Sequence, residues 1–370
     1  IVLVGDTYGQ QLSLQVIGET YTNDEEDRGW IVNSSGSIYF LSPGINKLTM
    51  KESGQLFVMY TAMLNDDRAK PVNIHIPSGS GKVTGFFDLK DHKTDQKYAQ
   101  LLAAANHKYF CVRGNKIMFY FHTEKLRSFV PDRILSAINL WDDIVGWEQE
   151  LMGIEDVWPS QMNNHIFAIS PEGGYMWASE GRIGFVYTVL GDILRKSYLM
   201  ASRNSWGPAH EIGHCNQTRP GVLWGGNTEV TNNIMSEYIQ TTIFGQPSRI
   251  QVEDMGITYR NRYSKAWSGI IAAGSPHADF QNLGKNNAND VFCKLVPFWQ
   301  LELYFGKVLG RTPLQQADKG GFYPEVYEYA RNKDYTRMTH GEIQLDFVYA
   351  CSKTVSYTHL RAHETSAHLV

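Results

Sequence analysis

The spacing of the apolar residues changes near Leu126, and this change constrains the possible folds more than any other feature of the sequence. Before it, short apolar or alternating runs are separated by clusters of Gly, Pro, Asn, Asp and Ser, a pattern typical of β-strands joined by turns. These runs cover residues 37–41, 55–62, 72–76, 83–87 and 116–121, with one short helix expected near 94–105. Beyond Leu126 the apolar residues recur at helical spacing in longer segments, as in residues 134–148. The sequence therefore predicts an α+β multidomain protein, in which an N-terminal antiparallel β-sandwich precedes a mainly helical domain.

The same change predicts a domain boundary near residue 125. Residues 1–125 would form the accessory β-sandwich, and residues 126–355 would form the second domain. The last fifteen residues, 356–370, show no amphipathic period and resemble translated adapter or vector sequence, so we predict a non-native tail there. The chain begins at Ile1 without an initiator Met or a signal peptide, as expected of a fragment or a processed form.

The composition argues against several classes of function. The 34 Lys and Arg residues and 38 Asp and Glu residues leave a net charge of -4 without a basic run, so no nucleic-acid partner is predicted. The most apolar stretch, residues 183–194, is interrupted by Gly191 and Asp192, so no membrane span is predicted. The four Cys residues are 104, 78 and 58 positions apart, which fits neither paired metal ligands nor a dense disulfide framework. We therefore expect four free thiols.

The motif that carries chemistry is His-Glu-x-x-His at residues 210–214. Residues four apart lie on one face of a helix, so His210 and His214 can bind a single Zn²⁺. Glu211 would lie beside the metal as general base, taking the proton from a water that the metal activates and that attacks a peptide carbonyl. Gly213 weakens the helix but leaves room for close packing.

A catalytic zinc needs three protein ligands, and a second helix signal follows His214 at the required distance. In this helix Glu229, Asn233 and Glu237 form a polar row between apolar positions. We predict Glu229 as the third ligand, with Asn233 and Glu237 orienting the ligands through hydrogen bonds. The alternative is that the row is a solvated helix face.

These residues resemble the enhancin-type zinc metallopeptidases, peptidase family sixty, whose M60-like members degrade mucins and other O-glycoproteins. The resemblance lies in HEIGHCNQ followed by NTEVTNNIMSEY, with fourteen residues between His214 and Glu229, and extends through GGYMWASEGRIGF into the sandwich region. It implies a gluzincin-like catalytic domain with His210, His214 and Glu229 on one catalytic Zn²⁺ and Glu211 as base. It also implies a secreted or cell-surface enzyme and a domain that is truncated at its C-terminus.

The resemblance implies an O-glycosylated protein or mucin as substrate, and two alternatives stay open. One is a zinc endopeptidase or aminopeptidase that is indifferent to glycans. The other is a glycan-binding or adhesion protein in which the metal site is vestigial. Neither alternative changes the predicted metal ligands.

Aromatic residues are concentrated around the motif, since six of the nine Trp residues fall within residues 141–224. Flat apolar rings stack well on sugar rings, and the GGYMWASEGR segment adds polar groups. Core packing is the alternative for each of them. The candidates for substrate contact are Tyr175, Trp177, Arg182, Trp206 and Trp224.

Three further features of the sequence bear on metal binding and catalysis. The acidic run at residues 24–27 lacks the alternating spacing of a calcium loop and is predicted to be a solvated loop. His363 and His368 in the tail are five apart, off a common helix face, and are not expected to bind zinc. Tyr238, Tyr259 and Tyr263 are equivalent candidates for donating a hydrogen bond to the oxyanion of the transition state.

Overall fold

A computed structural model of the chain describes residues 1–18, 37–51, 54–63, 66–154, 165–179, 182–274, 290–309 and 321–354. The region before residue 76 is built from six short strands: β1 (Val2–Val4), β2 (Gln11–Gly18), β3 (Ile38–Leu41), β4 (Gly44–Asn46), β5 (Gly54–Thr61) and β6 (Ile74–His75). They pair antiparallel in two sheets of three, in the orders β4-β1-β6 and β3-β2-β5. Leu12 and Leu14 lie at alternate positions of β2 and are buried, and the two sheets share one apolar cluster that includes both residues and Val4.

The next six strands form one mixed sheet, in the order β11-β12-β10-β9-β8-β7. Its strands are β7 (Phe87–Asp88), β8 (Tyr109–Arg113), β9 (Ile117–His122), β10 (Ile166–Ile169), β11 (Met176–Ser179) and β12 (Arg182–Phe185). Strands β9 and β10 pair in parallel, from Ile117 opposite Ile166 to Tyr120 opposite Ile169. The sheet therefore joins residues on both sides of the predicted boundary at residue 125. This corrects the predicted division: β7, β8 and β9 belong with the later strands, and the two small sheets end before β7.

The rest of the described chain is mainly helical. The helices are α1 (Leu89–His92), α2 (Asp95–Ala104), α3 (Thr123–Phe129), α4 (Leu135–Leu151), α5 (Leu190–Ile193), α6 (Lys196–Leu199), α7 (Trp206–Asn216), α8 (Thr228–Glu237), α9 (Arg249–Val252), α10 (Arg262–Ala266), α11 (Val291–Leu301), α12 (Phe322–Arg331) and α13 (His340–Thr354). Segments Tyr238–Ile243, Trp267–Ile271 and Glu302–Val308 continue α8, α10 and α11 as π-helical turns. Among the described helices, none combines the length and the apolar character needed to cross a bilayer. The helices predicted at 94–105 and 134–148 are confirmed by α2 and α4.

Helix α4 covers one face of the six-stranded sheet, because its apolar residues fall on one side at helical spacing. Trp141 is fully buried between Phe119 and Phe185, and its Nε1 donates to the carbonyl of Ile193 over 2.9 Å. The opposite face of the sheet carries Tyr120 and Phe167, against which Phe57 of β5 packs edge-on. The main sheet therefore lies between helices on one side and the small sheets on the other.

Helix α7 is packed closely between the edge strand β11 and helix α8, and glycine makes both contacts possible. A Cβ atom at Gly207 would lie 2.5 Å from the Sδ atom of Met176 in β11. A Cβ atom at Gly213 would lie 2.7 Å from the backbone oxygen of Asn232 in α8. The prediction that Gly213 permits close packing is confirmed, and this contact brings the two helices of the candidate site together.

Candidate metal centre

The two histidines of the motif leave α7 on the same side. His210 and His214 are one helical turn apart, with ring centroids separated by 4.7 Å. Their Nε2 atoms lie 3.1 and 3.2 Å from a single oxygen, Oε2 of Glu229. Glu229 lies in the first turn of α8, where its φ of -89° and ψ of 16° depart from helical values. The three side chains predicted as ligands therefore converge on one point.

The distances among these atoms fit a small tetrahedral cation. Bonds of about 2.0–2.1 Å to nitrogen and oxygen, set at the tetrahedral angle, separate two ligand atoms by about 3.3 Å. The separations of 3.1 and 3.2 Å between imidazole nitrogen and carboxylate oxygen are close to that value. Two imidazoles and one carboxylate also form a ligand set that catalytic zinc uses, with a fourth position left open. The residues present therefore fit a zinc ion.

Glu211 lies next to the histidines and is only 5% exposed. The ligand atoms of His210, Glu211 and His214 all lie within 4.8 Å of one another. Burial raises the pKa of Glu211, although the two histidines oppose this. In Glu229 the hydrogen bonds with His210 and His214 lower the pKa, in spite of partial burial. The pKa values of the two carboxyl groups are thus shifted in opposite directions. Glu229 stays an anion, and Glu211 is the better proton acceptor.

Amide side chains contact the second nitrogen of each imidazole. Oδ1 of Asn233 lies 2.7 Å from Nδ1 of His210, and Oε1 of Gln217 lies 3.1 Å from Nδ1 of His214. Burial acts to lower the pKa of His210, but the hydrogen bonds with Glu229 and Asn233 outweigh it and raise the pKa. The structure therefore brings Asn233 to the site, as its predicted role requires.

Two residues at the site were missed by sequence reasoning. Gln217 lies three positions after His214, and this spacing is the signal that could have identified it. Nδ2 of Asn232 lies 3.0 Å from Nε2 of His214 and 3.3 Å from the backbone oxygen of His210. Asn232 immediately precedes Asn233, but nothing in the sequence separates its role from that of a core amide.

Glu237 does not join the site, which corrects the prediction that it orients the ligands. It is the last residue of α8 and is fully buried. Burial raises the pKa of Glu237 to about 7, and the Ser248 hydroxyl and the Arg249 amide only partly offset this effect. At 1.5 Å per residue, the eight positions from Glu229 place it roughly 12 Å along the helix. Glu237 is therefore a core carboxyl group.

Trp206 and Trp224 pack in the core, which corrects their predicted role as walls of a substrate cleft. Each is 5% exposed. The ring of Trp206 packs edge-on against Phe292, with the Arg249 guanidinium 5.0 Å from its centroid. Trp224 packs against aromatic rings of α11 and α13 and lines an apolar cavity of about 570 Å³ beside them.

The remaining three candidates for substrate contact lie together on the β11–β12 hairpin and the residue before it, beside α7. Tyr175 is 70% exposed. Trp177 is half-buried and crosses over Gly184, its partner on β12, where a Cβ atom would lie 2.2 Å from the indole ring. The Arg182 guanidinium lies 5.8 Å from the centroid of the Trp177 ring. Their role in substrate binding stays a prediction.

The structure also bears on the predicted thiols and oxyanion donors. The four cysteines are free thiols, as predicted. Tyr238 is fully buried, and burial together with the charge of Glu237 raises the pKa of Tyr263; their role as oxyanion donors stays a prediction. The acidic run at residues 24–27 and the tail at 356–370, with His363 and His368, lie outside the described residues.

Comparison with known proteins gives a family and close structural relatives. The family model described as "Peptidase M60, enhancin and enhancin-like" matches residues 89–357. A solved metallopeptidase in complex with Tn antigen is 47% identical, with a TM-score of 0.77 over 95% of this chain and 61% of that chain. A metallopeptidase from Bacteroides thetaiotaomicron is 46% identical, with a TM-score of 0.76 over 95% of this chain and 56% of that chain.

A more distant structure shares the fold. The M60 catalytic domain of Clostridium perfringens ZmpC, solved in complex with the sialyl T antigen, is 20% identical, with a TM-score of 0.64. The match covers 96% of this chain and 66% of that chain. The chain thus spans about three fifths of the length of the two more similar structures.

Proposed function

We propose, from the premise that this chain belongs to the peptidase M60 family, enhancin and enhancin-like, that it hydrolyses peptide bonds in O-glycosylated proteins such as mucins. The observation that carries the proposal is the convergence of His210, His214 and Glu229 beside the buried carboxyl group of Glu211. The proposed enzyme has a gluzincin-like zinc peptidase domain and an accessory antiparallel β-sandwich formed by the two small sheets. We propose that it acts outside the cell, secreted or at the cell surface.

In this proposal His210, His214 and Glu229 would hold one Zn²⁺. The metal, when bound, lowers the pKa of a coordinated water and polarises the scissile carbonyl. Glu211 takes the proton of the attacking water and passes it to the departing amine, a transfer that suits a carboxylate whose pKa is raised by burial. Asn233 keeps the His210 ring in position through its amide oxygen.

The β11–β12 hairpin is the proposed substrate-binding wall. Strand β11 is the edge strand of the six-stranded sheet, so its free side can pair with an extended peptide. Tyr175 offers an exposed ring of the kind that stacks on sugars, with the half-buried Trp177 indole and the Arg182 guanidinium beside it. The relative that is 47% identical was solved with Tn antigen, which supports a glycan as part of the substrate.

The proposal is tested with a mucin-type glycopeptide, prepared with and without its O-glycans. Zinc-loaded protein should cut the glycosylated form, and Glu211→Gln should lose about 10²–10⁴-fold in rate while still binding the peptide. Equal cleavage of both forms would support the glycan-indifferent peptidase instead. A zinc-loaded protein that binds the glycopeptide and cuts neither form would support the adhesion protein with a vestigial site.

A further inference from the structure

Gln217 connects the His214 imidazole to the first turn of α8. Its Nε2 donates to the backbone oxygen of Thr228 over 2.7 Å and to Oγ1 of Thr231 over 2.9 Å. Its Oε1 lies 3.1 Å from Nδ1 of His214. The side chain is 9% exposed, so these contacts are made largely out of water.

The direction of each hydrogen bond follows from groups that can play one part only. A backbone carbonyl only accepts, so the Gln217 atom at Thr228 must be the NH₂ group. A guanidinium only donates, and Nη2 of Arg219 lies 3.2 Å from the other atom, which must therefore be oxygen. The Gln217 amide is thus oriented from both ends, and only a proton on Nδ1 of His214 can satisfy the contact with Oε1.

Asn233 makes the same arrangement at the other ring. Its Nδ2 donates to the backbone oxygen of Glu229 over 2.7 Å, and its Oδ1 lies 2.7 Å from Nδ1 of His210. Two consecutive carbonyls of α8, at Thr228 and Glu229, therefore orient one amide for each imidazole. With Nδ1 of each ring held as a donor, each Nε2 atom faces Oε2 of Glu229 and would offer its lone pair to a metal ion bound between them.

We infer that Gln217 is a positioning residue of the metal centre, which holds His214 in its Nδ1–H form and directs Nε2 to the metal position. The inference rests on the proposed function, since it concerns the same site. Without Gln217, Nδ1 of His214 loses the acceptor for its proton, and the ring keeps only the contact of Nε2 with Asn232, so the proton can move to Nε2, where it blocks metal binding. Loss of a hydrogen-bond partner of this kind typically weakens metal affinity by about 10–100-fold.

The test compares three variants for zinc affinity, measured by competition with a chromophoric chelator. Gln217→Met keeps a similar volume without the hydrogen bonds and should weaken zinc binding by about 10–100-fold. Gln217→Glu keeps an acceptor for Nδ1 but has no donor for the Thr228 carbonyl, so it should lose less affinity than Gln217→Met without reaching that of the unmodified chain. Gln246→Met is the matched control, because the Gln246 side chain donates to the backbone oxygen of Met200 and not to a residue of the metal centre, and it should bind zinc as the unmodified chain does.

A second measurement examines the hydrogen bond itself in the zinc-loaded protein. In a ¹H–¹⁵N spectrum of the protein with labelled histidine, the Nδ1–H signal of His214 should be protected from solvent exchange. The protection should disappear in Gln217→Met, whereas the Nδ1–H signal of His210 should stay protected from solvent exchange. Unchanged affinity and protection in Gln217→Met would overturn the inference.

Neither measurement uses peptide cleavage, so the two proposals can fail separately. A chain that cuts no glycopeptide but loses zinc affinity in Gln217→Met refutes the proposed function and keeps this inference. A chain that cuts glycopeptide and is indifferent to Gln217→Met does the reverse.

Discussion

Glu302 carries a buried carboxyl group that should make the protein less stable as the pH rises. It begins the π-helical segment that follows α11, and 0% of its surface is accessible to solvent. Its carboxyl group folds over Gly306, where a Cβ atom would lie 2.5 Å from Oε1. Burial raises the pKa of Glu302 to about 8, and Lys307 only partly opposes this.

The direction of the pH effect on stability follows from the pKa of Glu302 in the folded and in the unfolded chain. The folded chain keeps the proton up to pH about 8, whereas the unfolded chain releases it near pH 4.5, the ordinary value for this group. The group's stabilising contribution is therefore fully present below pH 4.5 and is lost as the pH rises to about 8. At about 1.4 kcal/mol per pH unit, this interval sets an upper limit of about 5 kcal/mol. We expect about half of the limit, roughly 2 kcal/mol, because buried sites relax around a charge.

The assay is urea unfolding of the unmodified chain and Glu302→Gln at pH 5 and pH 8. The variant removes the charge, so it should be more stable than the unmodified chain by roughly 2 kcal/mol at pH 8 and nearly equal to it at pH 5. Glu237 titrates in both proteins and cancels in the comparison. Glu328→Gln, at an exposed position on α12, should show no such difference. The reasoning is refuted if Glu302→Gln changes stability by the same amount at both pH values.

Three further predictions concern the metal centre and its surroundings. Gly213→Ala should lower the free energy of thermal unfolding by about 1–3 kcal/mol and weaken zinc binding, because the new methyl group meets the Asn232 carbonyl. Gly341→Ala is the control, since its methyl group meets nothing within 4 Å, and equal effects of the two variants would contradict the contact. Gly184→Ala should displace Trp177 and raise KM for a glycopeptide several-fold, with kcat within about 2-fold. An unchanged KM would show that Trp177 has no part in substrate binding. Chelation should abolish cleavage and added Zn²⁺ should restore it, whereas cleavage that survives thorough chelation would exclude a metal-dependent mechanism.

The convergence of the three proposed metal ligands could be predicted because its signal is local. His210 and His214 need only the helical repeat, and Glu229 needs only a second helix start at a suitable distance. Glu237 shows the limit of the same argument. Each step of four residues turns a helix by about 400°, so the polar row drifts by 40° per step, and Glu237 points about 80° away from Glu229. A row that begins at the site can therefore end in the core.

Long-range contacts could not be predicted from local pattern. Strands β8 and β9 have the same short apolar character as the strands of the small sheets, and only the pairing of β9 with β10 assigns them to the main sheet. Trp206 and Trp177 are likewise the same residue type near the same motif. What separates them is burial, which depends on Phe292 and on the neighbouring strand β12. Gln217 was missed because its role depends on a hydrogen bond to the carbonyl of Thr228. The chain between α7 and α8 folds back and brings that carbonyl to Gln217.

The packing of Phe57 determines where this protein can be shortened. The family match begins at residue 89, which invites a catalytic fragment that starts there. Such a fragment would lack β5 and leave the rings of Tyr109, Tyr120 and Phe167 facing water on the side of the sheet opposite α4. A contiguous aromatic patch of this kind favours aggregation. A fragment intended for solution work should therefore retain the two small sheets, or replace the uncovered rings with polar residues.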